Sequence, residues 1–137
     1  MAEEKVEFEL VTPEKLLLSE HVDMVVVPGE EGDFGVLRMH APMISVVRPG
    51  IIRTFDANQV KAQIFVAGGF AEVTPARCTM LAEQAVPVDE IDTAAVEDTL
   101  RDAREDLADA KDDASRNAAE QRIAVGEAMM KAAQGTL

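Results

Sequence analysis

The chain has 137 residues and a net charge of −13, from 26 acidic and 13 basic side chains. That charge repels a phosphate backbone, so it excludes nucleic-acid binding through a basic groove and disfavours direct adhesion to an anionic membrane. Hydrophobic residues make up 47% of the chain, which excludes an intrinsically disordered protein, but Trp and Tyr are absent, so Val, Ile, Leu and Ala must fill the core.

Residues 6 to 85 read as strands. Val6, Phe8 and Leu10 alternate with Glu7 and Glu9, the period-two pattern of a half-buried strand, and Pro13 stops it. Leu16-Leu17-Leu18 is a short apolar run. Val22, Met24 and Val26 alternate with His21 and Asp23, and Pro28 is expected to end that strand. Next comes Val27-Pro28-Gly29-Glu30-Glu31-Gly32-Asp33-Phe34-Gly35-Val36-Leu37-Arg38-Met39-His40-Ala41-Pro42. Pro-Gly presets a turn, and Gly32 and Gly35 let the backbone bend again around Asp33 and Phe34. Two readings of Phe34 stay open: a ring folded back from a long hairpin onto the sheet, or a side chain on a contact loop that meets a partner. Val36 to Met39 reads as the following strand, Met43 to Val47 as another, and Arg48-Pro49-Gly50 as its stop.

Ile51 to Phe55 precedes a polar turn at residues 56–59, and Val60, Ala62, Ile64 and Val66 alternate after it. Gly68-Gly69 marks a break or bulge before Phe70 to Val73, and Cys78 to Ala85 reads as the last strand. Many short strands with no helix between them imply an antiparallel sandwich or barrel of about ten strands.

Composition changes at Val86-Pro87-Val88-Asp89-Glu90, where β-branched residues give way to Ala, Asp, Glu and Arg. The expected domains are therefore 1–86, the β sandwich, and 87–137, an α-helical hairpin. Asp92 is the expected N-cap of the first helix. Val96, Leu100, Ala103, Leu107 and Ala110 form one apolar stripe on it; Ala119, Ile123, Gly126, Met130, Ala133 and Leu137 form a second, with Ser115 the expected cap. Two such helices with a short break pair antiparallel. Their seam is mostly Ala and Gly, so the hairpin should be weakly held.

The titratable residues carry no catalytic constellation. His21, His40 and Cys78 are the side chains with base or nucleophile character besides acids and hydroxyls, and they show no His-x-x-x-His, Cys-x-x-Cys or Glu-x-x-His spacing. Gly68-Gly69 lacks the Gly-x-x-x-x-Gly-Lys context of a phosphate loop. Cys78, in a strand pattern, reads as a buried inert thiol, and the acids of the helices as a solvated face. The expectation is no catalytic residue, no cofactor and no metal. The lone cysteine fits a reducing compartment, the acidic opening Met1-Ala2-Glu3-Glu4-Lys5 does not read as a secretory signal, and no apolar run approaches the roughly 20 residues of a membrane span. A cytoplasmic protein that reaches a membrane only through protein partners is expected.

The Pro28 to Pro42 stretch has the form Pro-Gly-x-x-Gly-x-x-Gly-Val-Leu-x-x-His-Ala-Pro. It resembles the signature of the epsilon subunit of bacterial F-type ATP synthases. Phe8-Glu9-Leu10-Val11-Thr12-Pro13 resembles that family's opening strand, Arg48-Pro49-Gly50 its next turn, Val66-Ala67-Gly68-Gly69-Phe70-Ala71-Glu72-Val73 its Gly-Gly strand, and Leu81-Ala82-Glu83-Gln84-Ala85 the close of its sandwich. The resemblance implies a non-catalytic rotor subunit on the cytoplasmic face of the bacterial inner membrane. It implies that Glu31, Gly32, Asp33, Phe34 and Gly35 touch the c-ring, that His40, Ala41 and Pro42 lie near gamma, and that the hairpin folds against the sandwich or extends toward the catalytic alpha/beta head.

The family's hairpin often opens with an ATP-binding pattern, [Ile/Leu]-Asp-x-x-Arg-Ala. Here Ile91-Asp92-Thr93-Ala94-Ala95-Val96 has Ala95 in the Arg place, so the cation that would pair a phosphate is missing. The competing class is a stand-alone β-sandwich enzyme or ligand carrier with an acidic cleft.

Overall fold

The computed structural model describes residues 4–137; the reading of Met1, Ala2 and Glu3 as part of an acidic opening lies outside the described residues. Ten strands come first: β1 (Val6–Val11), β2 (Leu16–Val22), β3 (Met24–Gly29), β4 (Gly32–Val36), β5 (Met43–Val47), β6 (Gly50–Asp56), β7 (Gln59–Val66), β8 (Gly69–Val73), β9 (Arg77–Ala82) and β10 (Ala85–Pro87). A 3-10 turn over Val88–Glu90 leads to α1 (Thr93–Asp109) and α2 (Asp113–Gln134). The polypeptide divides after Val88 into two compact units.

The strands run β10-β7-β6-β3-β5-β8-β9-β1-β2 across the sheet, with β4 paired to β3 off that path. All pairs are antiparallel except β1 with β9. β3 serves both halves: Met24 to Val26 pair with β6, and Gly29 pairs with Val47 of β5. The sheet thereby closes on a core of Val6, Phe8, Leu10, Val22, Val25, Val27, Val36, Val47, Ile52, Ile64, Val66, Val73 and Met80, with smaller residues between. Branched aliphatics fill a space this narrow without large aromatics, as the composition requires.

Besides the last strand, expected over Cys78 to Ala85 but ending at Ala82 with a separate β10 over Ala85–Pro87, three expectations about the strands need correction. The expected alternation of Val22, Met24 and Val26 breaks at Asp23, and the buried residues are Val22, Val25 and Val27. The Asp23 amide donates to the Phe55 carbonyl and to Asp56 Oδ1, both at 3.0 Å, and Asp23 Oδ2 accepts from the Ala57 amide at 2.8 Å. Those bonds turn the backbone and shift the alternation by one residue, which moves every following side chain to the other face. The strand then runs through Pro28 instead of ending there, because the Pro28 carbonyl still accepts from the Arg48 amide. Third, the strand expected over Val36 to Met39 is β4, which ends at Val36. Residues 38–39 form a turn, tied back by Met39 N–H to the Pro75 carbonyl, with Met39 at a φ of 71°.

In the second unit, Asp92 caps α1, its Oδ1 accepting from the Ala95 amide at 3.2 Å. The expected cap Ser115 is instead the donor: Asp112 is the N-cap of α2 and accepts the Ser115 amide at 2.7 Å. That bond is the first cause holding the Asp112 carboxyl below its ordinary value. Gly135 ends α2 in the left-handed conformation. Val96, Leu100 and Ala103 are buried on α1; Ala119, Gly126, Met129 and Ala132 are buried on α2. Met130 and Ala133, expected on the seam, are only half-buried. The period of 3.6 residues drifts off a strict four-three alternation by the last turns, and Met129 and Ala132 face inward there.

Candidate functional site

The signature stretch folds as a tight hairpin. Gly29 pairs with Gly32, so Glu30 and Glu31 alone make the turn, and Gly32 has a φ of 138°. Phe34 lies opposite Val27 in β4 and packs half-buried against the core. Its ring fills the space beside Gly29, where an added Cβ would meet it at 3.0 Å. Of the two readings of Phe34, the ring folded back on the sheet is the one this fold adopts. Asp33 points outward to Arg48, whose Nη2 sits 2.5 Å from Asp33 Oδ1.

Glu31, Gly32, Asp33, Phe34 and His40 line one open groove of about 460 Å³, together with residues 43–46; Gly35, Ala41 and Pro42 do not line it. The groove has the expected end-loop residues and His40 on one surface. His40 Nδ1 lies 2.7 Å from the Ala41 carbonyl, which only accepts, so Nδ1 carries the proton of that bond.

A second surface was not singled out from the sequence. Pairing across β5, β8, β9, β1 and β2 puts Val46 beside Phe70, Phe70 beside Leu81, Leu81 beside Val11, and Val11 beside Leu16. Residues paired across a ladder share a face. Val46, Phe70, Leu81 and Leu16 are all exposed, and Ile44, two residues from Val46, is 71% exposed. The row next to them holds Glu72, Thr79, Glu9 and Ser19. A contiguous exposed apolar strip with a polar border marks an interaction surface. The signal was present in β8, where Phe70 shares its face with Glu72 while Ala71 and Val73 point inward. An aromatic in phase with a glutamate and out of phase with the core is an outward aromatic.

The described residues hold no group of three or more His, Cys, Asp or Glu placed to bind a metal ion. Cys78 is fully buried, and desolvation pushes its thiol up to about 12, far from a nucleophilic thiolate. No described helix is long and apolar enough to cross a membrane.

Four of the hairpin's six cations are engaged within the hairpin. Among the described residues, Arg104 pairs with Glu127 at 3.6 Å and Arg122 with Asp106 at 2.5 Å, both between helices. Arg101 and Arg116 pair with acids on their own helices. An open depression near the helix–helix loop is lined by Asp106, Asp109, Lys111, Asp112 and Arg122.

Residues 5–88 match the family described as ATP synthase, Delta/Epsilon chain, beta-sandwich domain, and residues 92–137 match the C-terminal domain of the ATP synthase epsilon chain. The protein is 54% identical to the ATP synthase epsilon chain of Paramagnetospirillum magneticum, over 94% of its own length and 97% of that relative's. It is 56% identical to that of Rhodospirillum centenum, over 93% and 90%. Among solved structures it resembles a subunit of the Euglena gracilis mitochondrial ATP synthase, OSCP/F1/c-ring, with a TM-score of 0.78 and 27% identity, over 93% of its own length and 81% of that subunit's. A subunit of the Tetrahymena thermophila mitochondrial ATP synthase central stalk and c-ring shares the fold, with a TM-score of 0.65 and 17% identity, over 94% and 96%. The matched relatives are ATP synthase epsilon chains. Both units carry their match, in order and over nearly the whole length, and the protein belongs to the ATP synthase epsilon-chain family.

Proposed function

We propose that this protein is the central-stalk rotor subunit of a proton-translocating F-type ATP synthase, coupling c-ring rotation through gamma to ATP synthesis in the catalytic head. The observation that carries this is the exposed strip Val46–Phe70–Leu81–Val11–Leu16 in a protein whose two units both match the epsilon chain. The strip buries apolar area only when a partner covers it, and gamma is the partner proposed there, with His40, Ala41 and Pro42 beside it. The contact to the c-ring is proposed for Glu31, Gly32, Asp33, Phe34 and Gly35, at the β3–β4 turn. The subunit would sit on the cytoplasmic face of the bacterial inner membrane through these partners. Co-purification tests it: the full-length protein is expected in stoichiometric complex with gamma and the c-ring. A protein that purifies alone from cells holding the intact synthase overturns the reading.

We further propose that the hairpin inhibits ATP hydrolysis weakly or not at all. In the epsilon family inhibition pairs basic hairpin residues with an acidic segment of the beta subunit. From Asp89 to Leu137 there are thirteen acids and six bases, a net of −7. Four of those six bases are occupied by acids of the hairpin itself, among the described residues. Like charge repels within the Debye length of about 8 Å at physiological salt. Truncation at Val88 is expected to change hydrolysis by the catalytic complex little; a rise of tenfold or more overturns this.

A further inference from the structure

We infer that Arg48 is a positioning residue that sets the Glu30–Glu31 turn for docking. This rests on the docking role proposed for that end of the sandwich.

Arg48 follows β5, yet it reaches both strands of the β3–β4 hairpin. Its backbone N–H donates to the Pro28 carbonyl at 2.9 Å. Its Nη1 donates to the Gly29 carbonyl and its Nη2 to Asp33 Oδ1, both at 2.5 Å. Pro28 and Gly29 precede the turn and Asp33 follows it. One side chain therefore fastens the base of the turn on both sides, and the Glu30 amide, donating to the Val46 carbonyl at 2.9 Å, ties the turn itself to β5.

The geometry requires an arginine. The planar guanidinium presents two N–H groups in a fixed fork, so it holds a carbonyl and a carboxylate at once; an ammonium on a flexible stem is a single point charge. The pair is about half exposed on each side, and such surface pairs contribute little to stability. Its effect is on direction. Asp33 is neutralised within the protein, whereas Glu30 and Glu31 are exposed and no ion pair holds either among the described residues. The charge offered to a partner at this end is thus carried by Glu30 and Glu31, and the surface they fit is one bearing cations or N–H donors.

Two readouts test this, both on the full-length protein. The first is amide hydrogen exchange in the isolated protein. Arg48→Met is expected to speed exchange at Glu30 about tenfold or more by freeing the turn, while the Phe8 and Met80 amides keep wild-type protection and report an intact core. The second is binding to an immobilised rotor of gamma and c-ring. A turn held in its docking geometry only about a tenth of the time binds about tenfold more weakly, which is the loss expected for Arg48→Met. Arg48→Lys should recover part of the loss, and Glu30→Gln with Glu31→Gln should weaken binding with exchange unchanged. Wild-type exchange at Glu30 in Arg48→Met, or binding equal to wild type, overturns the positioning role alone. Failure of the wild-type protein to bind the rotor overturns the docking role and this inference with it.

Discussion

The two units reach stability by different means. The sandwich buries Phe8, Leu10, Ile52, Val66 and Met80 completely, in contacts between strands far apart in sequence. At about 25 cal/mol per Å² of apolar surface, these side chains supply most of its stability. The hairpin buries three larger side chains, Val96, Leu100 and Met129, with small residues Ala103, Ala119, Gly126 and Ala132. Its remaining support is two aspartate caps of about 1 kcal/mol each and exposed ion pairs of a few tenths each. A unit held this way is expected to open at lower cost than the sandwich.

The sharpest way to break that comparison is a pair of truncations in the two cores. Phe8→Ala is expected to cost the sandwich about 3–5 kcal/mol, and Leu100→Ala to cost the hairpin about 2 kcal/mol. Denaturant melts followed separately by strand and helix probes measure both. A single transition shifted equally by either variant would show that the units do not unfold independently.

A smaller effect sharpens the account of the seam. A Cβ on Gly126 would lie 2.7 Å from Leu100 Cδ2 and 2.9 Å from its Cγ. Gly126→Ala gains about 1 kcal/mol of helix propensity but forces Leu100 aside, and overpacking costs about 1–3 kcal/mol. A net loss of about 1 kcal/mol in the helical transition is expected. A net gain would mean that the helices separate freely enough to accept the methyl group.

On the surface, Phe70→Ser should change the stability of the isolated protein by less than about 0.5 kcal/mol, because Phe70 is 53% exposed. It should nonetheless weaken binding to gamma, measured by titration. Equal binding would remove the strip from the interface.

The smallest effect is pH dependence at Asp56, the end of β6. The Lys5 ammonium, 3.0 Å from Asp56 Oδ1, leads the interactions that hold the Asp56 carboxyl below its ordinary value of 3.8. A depressed carboxyl contributes stability that is present above 3.8 and lost as pH falls through its lower folded value. Lys61, bonded chiefly to Glu20, is raised above 10.5, so its contribution is present below 10.5 and lost as pH rises beyond it. Asp56→Asn should lower the melting temperature slightly at neutral pH, flatten the acid limb of a thermal-melt series below pH 4, and converge with wild type at the lowest pH. An acid limb as steep as wild type would assign it to other carboxylates.

Alternation and composition alone determined that an antiparallel sandwich or barrel of about ten strands precedes two helices, because period two and period 3.6 are local properties of the sequence. The Asp92 cap was legible for the same reason, and the signature stretch carried the family. Where the phase of a strand shifts was not legible. Asp23 turns its strand through bonds to Phe55, Asp56 and Ala57, which lie more than thirty residues away. The place of Phe34 depended on whether Val27 stood opposite it, and the strip through Phe70 on which strands became neighbours. The fork from Arg48 to Gly29 and Asp33 joins positions 19 and 15 residues apart. Each is decided by strand register, a property of the closed sheet that no single segment contains.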